Sequence, residues 1–473
     1  MNAAKKQTLG VIVGTRGFFN PELAREGRKQ IVAKLEKLGY DVVILPVEST
    51  PTGVVETVED AKKCAKLFDE NHDRIDGIIV SLPNFGDELG IVNAIVESRL
   101  NVPILVQACD DEIDKVDLKH RRDAFCGKLS VCNNLYGYRI SFTNTSLHTY
   151  AIESEDFTRD VEYFGSVCRV VSGLRKARIG AIGTRPAAFQ TMRVSERLLQ
   201  ASGITVVPVD MSEIIFSAQR LDDDAKEVKE TVAAIRAYGR IPDHVPNTNI
   251  VKNAKLSVIV RNWVQENDID AYSIQCWTSV QLNYGCATCT VMSMTGEELC
   301  PGACEVDVAG AVSMYALALA AGRPSALLDW NNNYGEDRNE CVCTHCGNFP
   351  KGFVGGDIEI SELDILGESL GRDRSFGAIK GHVKSGPMTF FRMSTDDLHG
   401  KIRGYVGEGD FTDQPFNMAG GIAVCKVPNL QPLMDHLCNN GFEHHTAMVR
   451  GHHARAVHEA ASKYLCWDIY KHD

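Results

Sequence analysis

Several signals are missing from these 473 residues, and each absence narrows what the chain can be. No apolar stretch approaches the roughly 18 residues that a membrane span needs, so no membrane partner is expected. No run of Lys and Arg stands out, and 50 basic against 62 acidic residues leave a net charge of −12. A nucleic-acid footprint needs a clustered basic face, so none is expected. Gly10, Gly14 and Gly17 lack the G-x-G-x-x-G order of a dinucleotide site. Neither a P-loop nor a G-x-S-x-G nucleophile elbow is present, so a nucleotide cofactor and a serine hydrolase are not expected. The start, MNAAKKQTLGVIVGTRG, passes straight into a strand-like run rather than a secretory signal. The chain is expected in the cytoplasm, with most of its 16 cysteines as free thiols.

What is present reads as α/β. The length predicts two or three domains. LGVIVG (9–14), DVVILPV (41–47), IDGIIVSLP (75–83) and VPILVQAC (102–109) are largely apolar and alternate with helical stretches such as Pro21 to Leu38, Thr57 to Phe68 and Leu89 to Glu97. Such strands form a parallel sheet covered on both faces. The pattern restarts with the strand 177–184, a helix from Met192 to Ala201, the strand 204–211, a charged helix from Ala225 to Tyr238, and the strand 269–277. Beyond about residue 350, glycines and alternating segments such as MTFFRMST (388–395) predict a smaller, mainly β domain, closed by a helix near Ala454 to Tyr464. The expected division is therefore 1–171 and 172–350, two tandem doubly wound domains, then 351–473.

The chemistry concentrates in two places. In ACEVDVAGAVSMYAL (303–317) and LLDWNNNYG (327–335), Glu305 follows a Gly and Cys turn and opens a helix of small residues, while Asp329 ends a buried strand. Carboxylates at such strand ends face the cleft where α/β folds bind ligands. The same residues read equally as a helix N-terminal acid and a turn residue. The second place is EHHTAMVRGHHARAVHEAA (443–461), which gathers five of the 14 histidines. Carboxylates with one imidazole suit Mn²⁺ or Mg²⁺ better than thiolate-favouring ions. A rival zinc site could draw on Cys286 and Cys289 with Cys341, Cys343, His345 and Cys346, although the spacing is long for a common zinc module. Core thiols are the plainer reading. Arg16 ends the first strand, and Gln275 and Trp277 end the strand SIQCW; each reads as a sugar contact or as an ordinary turn or core residue.

Together with TFFRMSTDDLHGKIRGYVGEG (389–409) and GFEHHTAMVRGHHARAVHEAASKYL (441–465), these stretches resemble the L-fucose isomerase and L-arabinose isomerase superfamily, L-fucose isomerases most. The resemblance implies a metal-dependent aldose–ketose isomerase working through an ene-diolate. Glu305, Asp329 and His445 would hold Mn²⁺, with Mg²⁺ as the other ion, and Glu305 and Asp329 would also move protons. Arg16, Gln275, Trp277 and His444 would contact the sugar. His345 is a further candidate ligand, by likeness to arabinose isomerases. The resemblance further implies a homo-oligomer, hexamer or trimer, in which Arg16 reaches a neighbouring subunit's site. The chain departs from L-fucose isomerases in its shorter last third and in His444, which stands where an asparagine is common, so the sugar itself stays open: L-fucose, D-arabinose, or a related or modified hexose. Arg16, Arg185 and Arg392 are candidates for an anionic substituent. A sugar-binding protein of tandem α/β domains, without catalysis, is the alternative.

Overall fold

The computed structural model describes residues 6–473. The chain divides into two compact units, one ending at Ser172 and the other running Gly173–Asp473. The first unit is built on β1 (Thr8–Val13), β2 (Asp41–Val43), β3 (Ile75–Leu82), β4 (Ile104–Ala108) and β5 (Thr143–Asn144), all parallel, in the order β2-β1-β3-β4-β5. Alternate side chains feed two separate cores: Leu9, Val11 and Val13 pack with Phe157 and Phe164, while Ile12 packs with Ile78, Val80 and Val106. Burial on both faces explains the unbroken apolar strands. The helix Val58–Asp69 starts at Thr57, whose hydroxyl accepts the Asp60 N–H at 3.2 Å while Asp60 accepts the Thr57 N–H at 3.0 Å.

The second unit holds two sheets. The smaller contains β6 (Arg178–Ile182), β7 (Thr205–Val209), β8 (Ala271–Ile274) and β9 (Gly302–Ala303), parallel in the order β7-β6-β8-β9. The larger contains β10 (Ser325–Asn333), β11 (Glu340–His345), β12 (Glu359–Glu362), β13 (Phe376–His382), β14 (Gly386–Asp396), β15 (Lys401–Thr412), β16 (Gly421–Lys426), β17 (His445–Arg450) and β18 (Asp468–Lys471). Six of these, β16-β11-β10-β17-β14-β15, pair antiparallel, and the end of β15 pairs back onto β16 to close a ring. The fold is thus α/β, with parallel sheets followed by a mixed, strand-rich one. β10 and β11 precede residue 350 yet hydrogen-bond within the same sheet as the C-terminal strands.

The helix Val308–Ala321 joins the two sheets of this unit. It packs against β8 on one side and β10, β14 and β17 on the other, and every residue from Val308 to Ala320 is buried. Its run of Ala, Gly and Ser is the composition that lets strands approach from both sides.

Three expectations are corrected. The helix expected from Met192 to Ala201 is a short turn at Gln190–Met192 and a helix at Glu196–Ala201, because the Ser195 side chain accepts the Leu198 N–H and starts the helix there. Glu305 does not open the helix of small residues: Asp307 caps it, and Glu305 precedes it in a left-handed turn. A 20-residue helix, Asn247–Glu266, fills a stretch where none was expected. No helix among the described residues is long and apolar enough to cross a membrane.

Candidate active site

The site begins where the small parallel sheet ends. β8 releases Gln275, Cys276 and Trp277 at its carboxyl end, and β9 releases Cys304 and Glu305 beside them. Glu305 and Val306 both lie in the left-handed region, at φ 57° and 55°. Non-glycine residues are seldom held there without surrounding support. Here the support comes from the Val306 N–H on the Ile274 carbonyl at 3.3 Å, the Asp307 N–H on the Cys304 carbonyl at 2.9 Å, and the Asp307 carboxylate accepting the Gly310 N–H at 2.8 Å. The turn aims the Glu305 carboxylate away from the helix. Oε1 accepts the Trp277 indole N–H at 3.1 Å and the Cys276 thiol at 3.3 Å. Oε2 is buried and accepts no hydrogen bond from any described residue.

The other groups arrive through sheet register. Asp329 on β10 lies directly opposite His445 on β17, and opposite Thr344 on β11, the neighbour of His345. Residues 116 positions apart in the chain therefore share one face of an antiparallel pair. His445 Nε2 lies 3.5 Å from Asp329 Oδ1 and 3.7 Å from Glu305 Oε2. His345 Nε2 lies 3.8 Å from the same Glu305 oxygen. Asp329 Oδ1, like Glu305 Oε2, is buried without a hydrogen bond from any described residue. His444 Nε2 stands 3.7 Å from Asp329 Oδ1. Asp329, His345 and His445 offer ligand atoms all within 4.8 Å of one another, and so do Cys304, Glu305, His345 and Cys346.

Electrostatics agree with a cation at this point. Burial raises the pKa of Glu305 against the pull of His345. Burial also works against a charged His345, but Cys346 beside it, with Asp329 and Glu305, outweighs burial and carries the imidazole up to about 10. The donor set of two carboxylates and imidazole nitrogens, with two orphaned carboxylate oxygens converging, fits a divalent ion that takes oxygen and nitrogen ligands.

A cavity of about 760 Å³ opens over these groups, bordered by Phe189, Trp277, Lys380 and His444 besides Glu305, Asp329, His345 and His445. Phe189 meets Trp277 and His444 edge-on, with ring centroids 5.4 and 5.8 Å apart. Two independent profiles match the chain: "Fucose/sulfoquinovose isomerase, N-terminal domain" over residues 10–175 and "L-fucose isomerase, C-terminal domain" over residues 343–472. The chain belongs to the L-fucose isomerase-like family. It is similar to sulfoquinovose isomerases from Priestia aryabhattai (24% identical over 289 residues, 60% of this chain and 62% of the relative) and Alkalicoccus urumqiensis (25% over 328 residues, 67% and 70%). The chain thus spans about six tenths of the length of the Priestia relative. A glucose-galactose binding protein from Geobacillus stearothermophilus overlaps 59% of this chain and 83% of its own, at 12% identity and a TM-score of 0.15, too little to carry an argument.

Within this family member, the residues singled out from sequence do not all meet. Glu305, Trp277, Asp329, His345, His444 and His445 border one cavity. Gln275 does not: its side chain accepts the Thr184 N–H at 3.1 Å and borders a different cavity with Gly183, Asp210 and Ser212. Arg16 lies in the first unit, paired with Glu88 and Asp87, its guanidinium 4.2 Å over the Phe85 ring. Arg392 is fully buried and donates to Asp307 at 2.6 and 3.1 Å and to Glu443 at 3.2 Å, so it is not free for an anionic substituent. Arg185 donates to the Pro186 carbonyl at 2.9 Å. Of the residues of the rival zinc site, Cys286 and Cys289 pack in one core cluster and Cys341 and Cys343 in another, so the four do not group, whereas His345 and Cys346 meet beside Cys304 and Glu305.

Sequence reasoning passed over Asp307. Its carboxylate accepts from His445 Nδ1 at 2.8 Å, leaving Nε2 toward Glu305 and Asp329. Burial opposes the charge, but Arg392 and His445 hold the Asp307 carboxyl well below the usual range. The signal was the acid two residues after Glu305 in ACEVD; what concealed its role was that its partners, Arg392 and His445, lie 85 and 138 residues away.

Proposed function

We propose that the chain is a divalent-cation-dependent aldose–ketose isomerase acting on a free sugar. The observation that carries this reading is the convergence of two buried, unpartnered carboxylate oxygens, Glu305 Oε2 and Asp329 Oδ1, on His445 Nε2 at 3.7 and 3.5 Å, at the floor of a sugar-sized cavity. Membership of the L-fucose isomerase-like family supports it.

In this reading Glu305, Asp329 and His445 hold the ion, with His345 as a further ligand. Once bound, the ion would supply Lewis acidity toward the sugar carbonyl. The chain's own residues do the rest. Trp277 donates to Glu305 Oε1 and fixes the carboxylate so that Oε2 faces the cavity. Asp307 holds the His445 tautomer and ring plane. Glu305 and Asp329 would move the protons: one leaves C2 and one arrives at C1, while the hydroxyl proton passes from O2 to O1, through an ene-diolate. Trp277 and His444 form the wall against which the ring sits.

The cavity's charge bears on the choice of substrate. Lys380 is the one Lys or Arg among the described residues bordering it, and its ammonium is paired with Asp364 at 2.5 Å. Within one chain that favours an uncharged sugar such as L-fucose or D-arabinose, whereas a neighbouring copy's Arg16 would add a cation suited to a modified, anionic hexose. The relatives' names put sulfoquinovose, a sulfonated hexose, on the same panel. The test is ketose formation from each aldose with Mn²⁺, Mg²⁺ or EDTA. Ketose that appears with Mn²⁺ and vanishes with EDTA supports the reading. Tight, metal-independent sugar binding without turnover would favour a sugar-binding protein instead.

The homo-oligomer that goes with this reading, hexamer or trimer, would place Arg16 of one copy at another's site. Analytical ultracentrifugation should then show no monomer at micromolar concentration.

A further inference from the structure

The same cluster has a second, softer side. His345 presents its two ring nitrogens to different chemistry: Nε2 lies 3.8 Å from Glu305 Oε2, while Nδ1 lies 3.4 Å from Cys346 Sγ. Cys304 precedes Glu305 in the turn after β9 and is fully buried. Ligand atoms of Cys304, Glu305, His345 and Cys346 all fall within 4.8 Å of one another. Cys346 borders the cavity and is part-exposed, so an ion entering from the cavity reaches it first.

Two thiols, an imidazole nitrogen and a carboxylate oxygen form a four-ligand set of the kind that selects thiophilic cations. It differs from the hard set of Asp329, His345 and His445 by its sulfurs, but the two sets share His345, and Glu305 faces both. A neutral imidazole has a single acceptor nitrogen, so His345 can ligate only one of two cations at a time.

We propose that Cys304, Cys346, His345 and Glu305 form a second cation site, for a thiophilic divalent ion such as Zn²⁺ or Cd²⁺, whose filling withdraws Glu305 and His345 from the hard-ion site. The site is thus an inhibitory soft-metal sensor built into the wall of the sugar cavity. The competition rests on the reading proposed above, whereas the thiolate site itself does not.

The experiment uses the full chain, stripped of metal and kept reduced, titrated with Cd²⁺ while thiolate-to-metal charge-transfer absorption is followed. One equivalent should bring up the band. Cys346→Ser should lose it, as should Cys304→Ser, while Cys343→Ser, in the separate thiol pair where Cys341 and Cys343 lie 3.8 Å apart, should keep it. If Cys304→Ser fails to fold by circular dichroism, Cys346→Ser decides alone. A second readout is Mn²⁺ resonance: one equivalent of Cd²⁺ should release prebound Mn²⁺ from the wild type, and not from Cys346→Ser. A band that persists in Cys346→Ser, or no band at one equivalent, overturns the thiolate site. Cd²⁺ and Mn²⁺ bound together overturns the competition.

Discussion

The division of labour between Glu305 and Asp307, two positions apart, is set by their surroundings. Both are buried carboxylates, but Asp307 has three partners that fix it as an anion, whereas Glu305 has neutral donors on one oxygen and none on the other. In the proposed reading, Asp307 is therefore a positioning residue and Glu305 carries the chemistry. Glu305→Gln should abolish turnover, by at least about a thousandfold if it combines ligation with proton transfer, with an unchanged circular dichroism spectrum; a wild-type rate would remove the central role. Asp307→Asn should leave the ligands in place but weaken Mn²⁺ binding about 10- to 100-fold, the usual effect of losing a histidine's orienting partner. Isothermal titration with Mn²⁺ reads this directly, and an unchanged affinity would show that His445 needs no such partner.

At the scale of elements, the helix Val308–Ala321 couples folding to the site. Its cap, Asp307, is also the partner of His445, so the start of one helix positions a side chain from β17. Gly310 makes room for this arrangement: a Cβ there would lie 2.4 Å from Asp307 Oδ2. Gly310→Ala should displace the cap, cost about 1–3 kcal/mol in urea unfolding, and weaken Mn²⁺ binding together with stability; loss of stability alone would separate the cap from the site. The elements also show what the sequence could reveal. The parallel strands were legible because burial on both faces leaves an unbroken apolar run, as in Leu9 to Val13 and Ile78 to Val80. The helix Asn247–Glu266 was not, because its buried side carries Asn249, Asn253 and Ser257 among the aliphatics and so blurs the 3.6-residue period. Asp329 could be suspected at the end of an apolar run, but its alignment with His445 belongs to the β10–β17 register, a long-range pairing with no local signature. Gln275, one residue past a strand, looked like a sugar contact, and only the backbone path at Gly183 and Thr184 turns it toward a different cavity.

At the scale of the whole molecule, the second unit uses its two sheets for different tasks. The small parallel sheet delivers Glu305 and Trp277 at its carboxyl edge, and the closed antiparallel ring delivers Asp329, His345 and His445. An ion bound between them ties two sheets together, so it should stabilise the folded state by mass action. Mn²⁺ at about 100 times its dissociation constant should add about 2.7 kcal/mol, seen as a rise in melting temperature that EDTA reverses; a melting temperature indifferent to both would argue against an ion in this position. The measurement that tests the central claim most directly is Mn²⁺ binding followed by electron paramagnetic resonance in the wild type, Glu305→Gln, Asp329→Asn and His445→Asn. One tightly bound ion per chain in the wild type, lost or strongly weakened in all three variants, is the predicted result. Wild-type binding in all three would contradict the account.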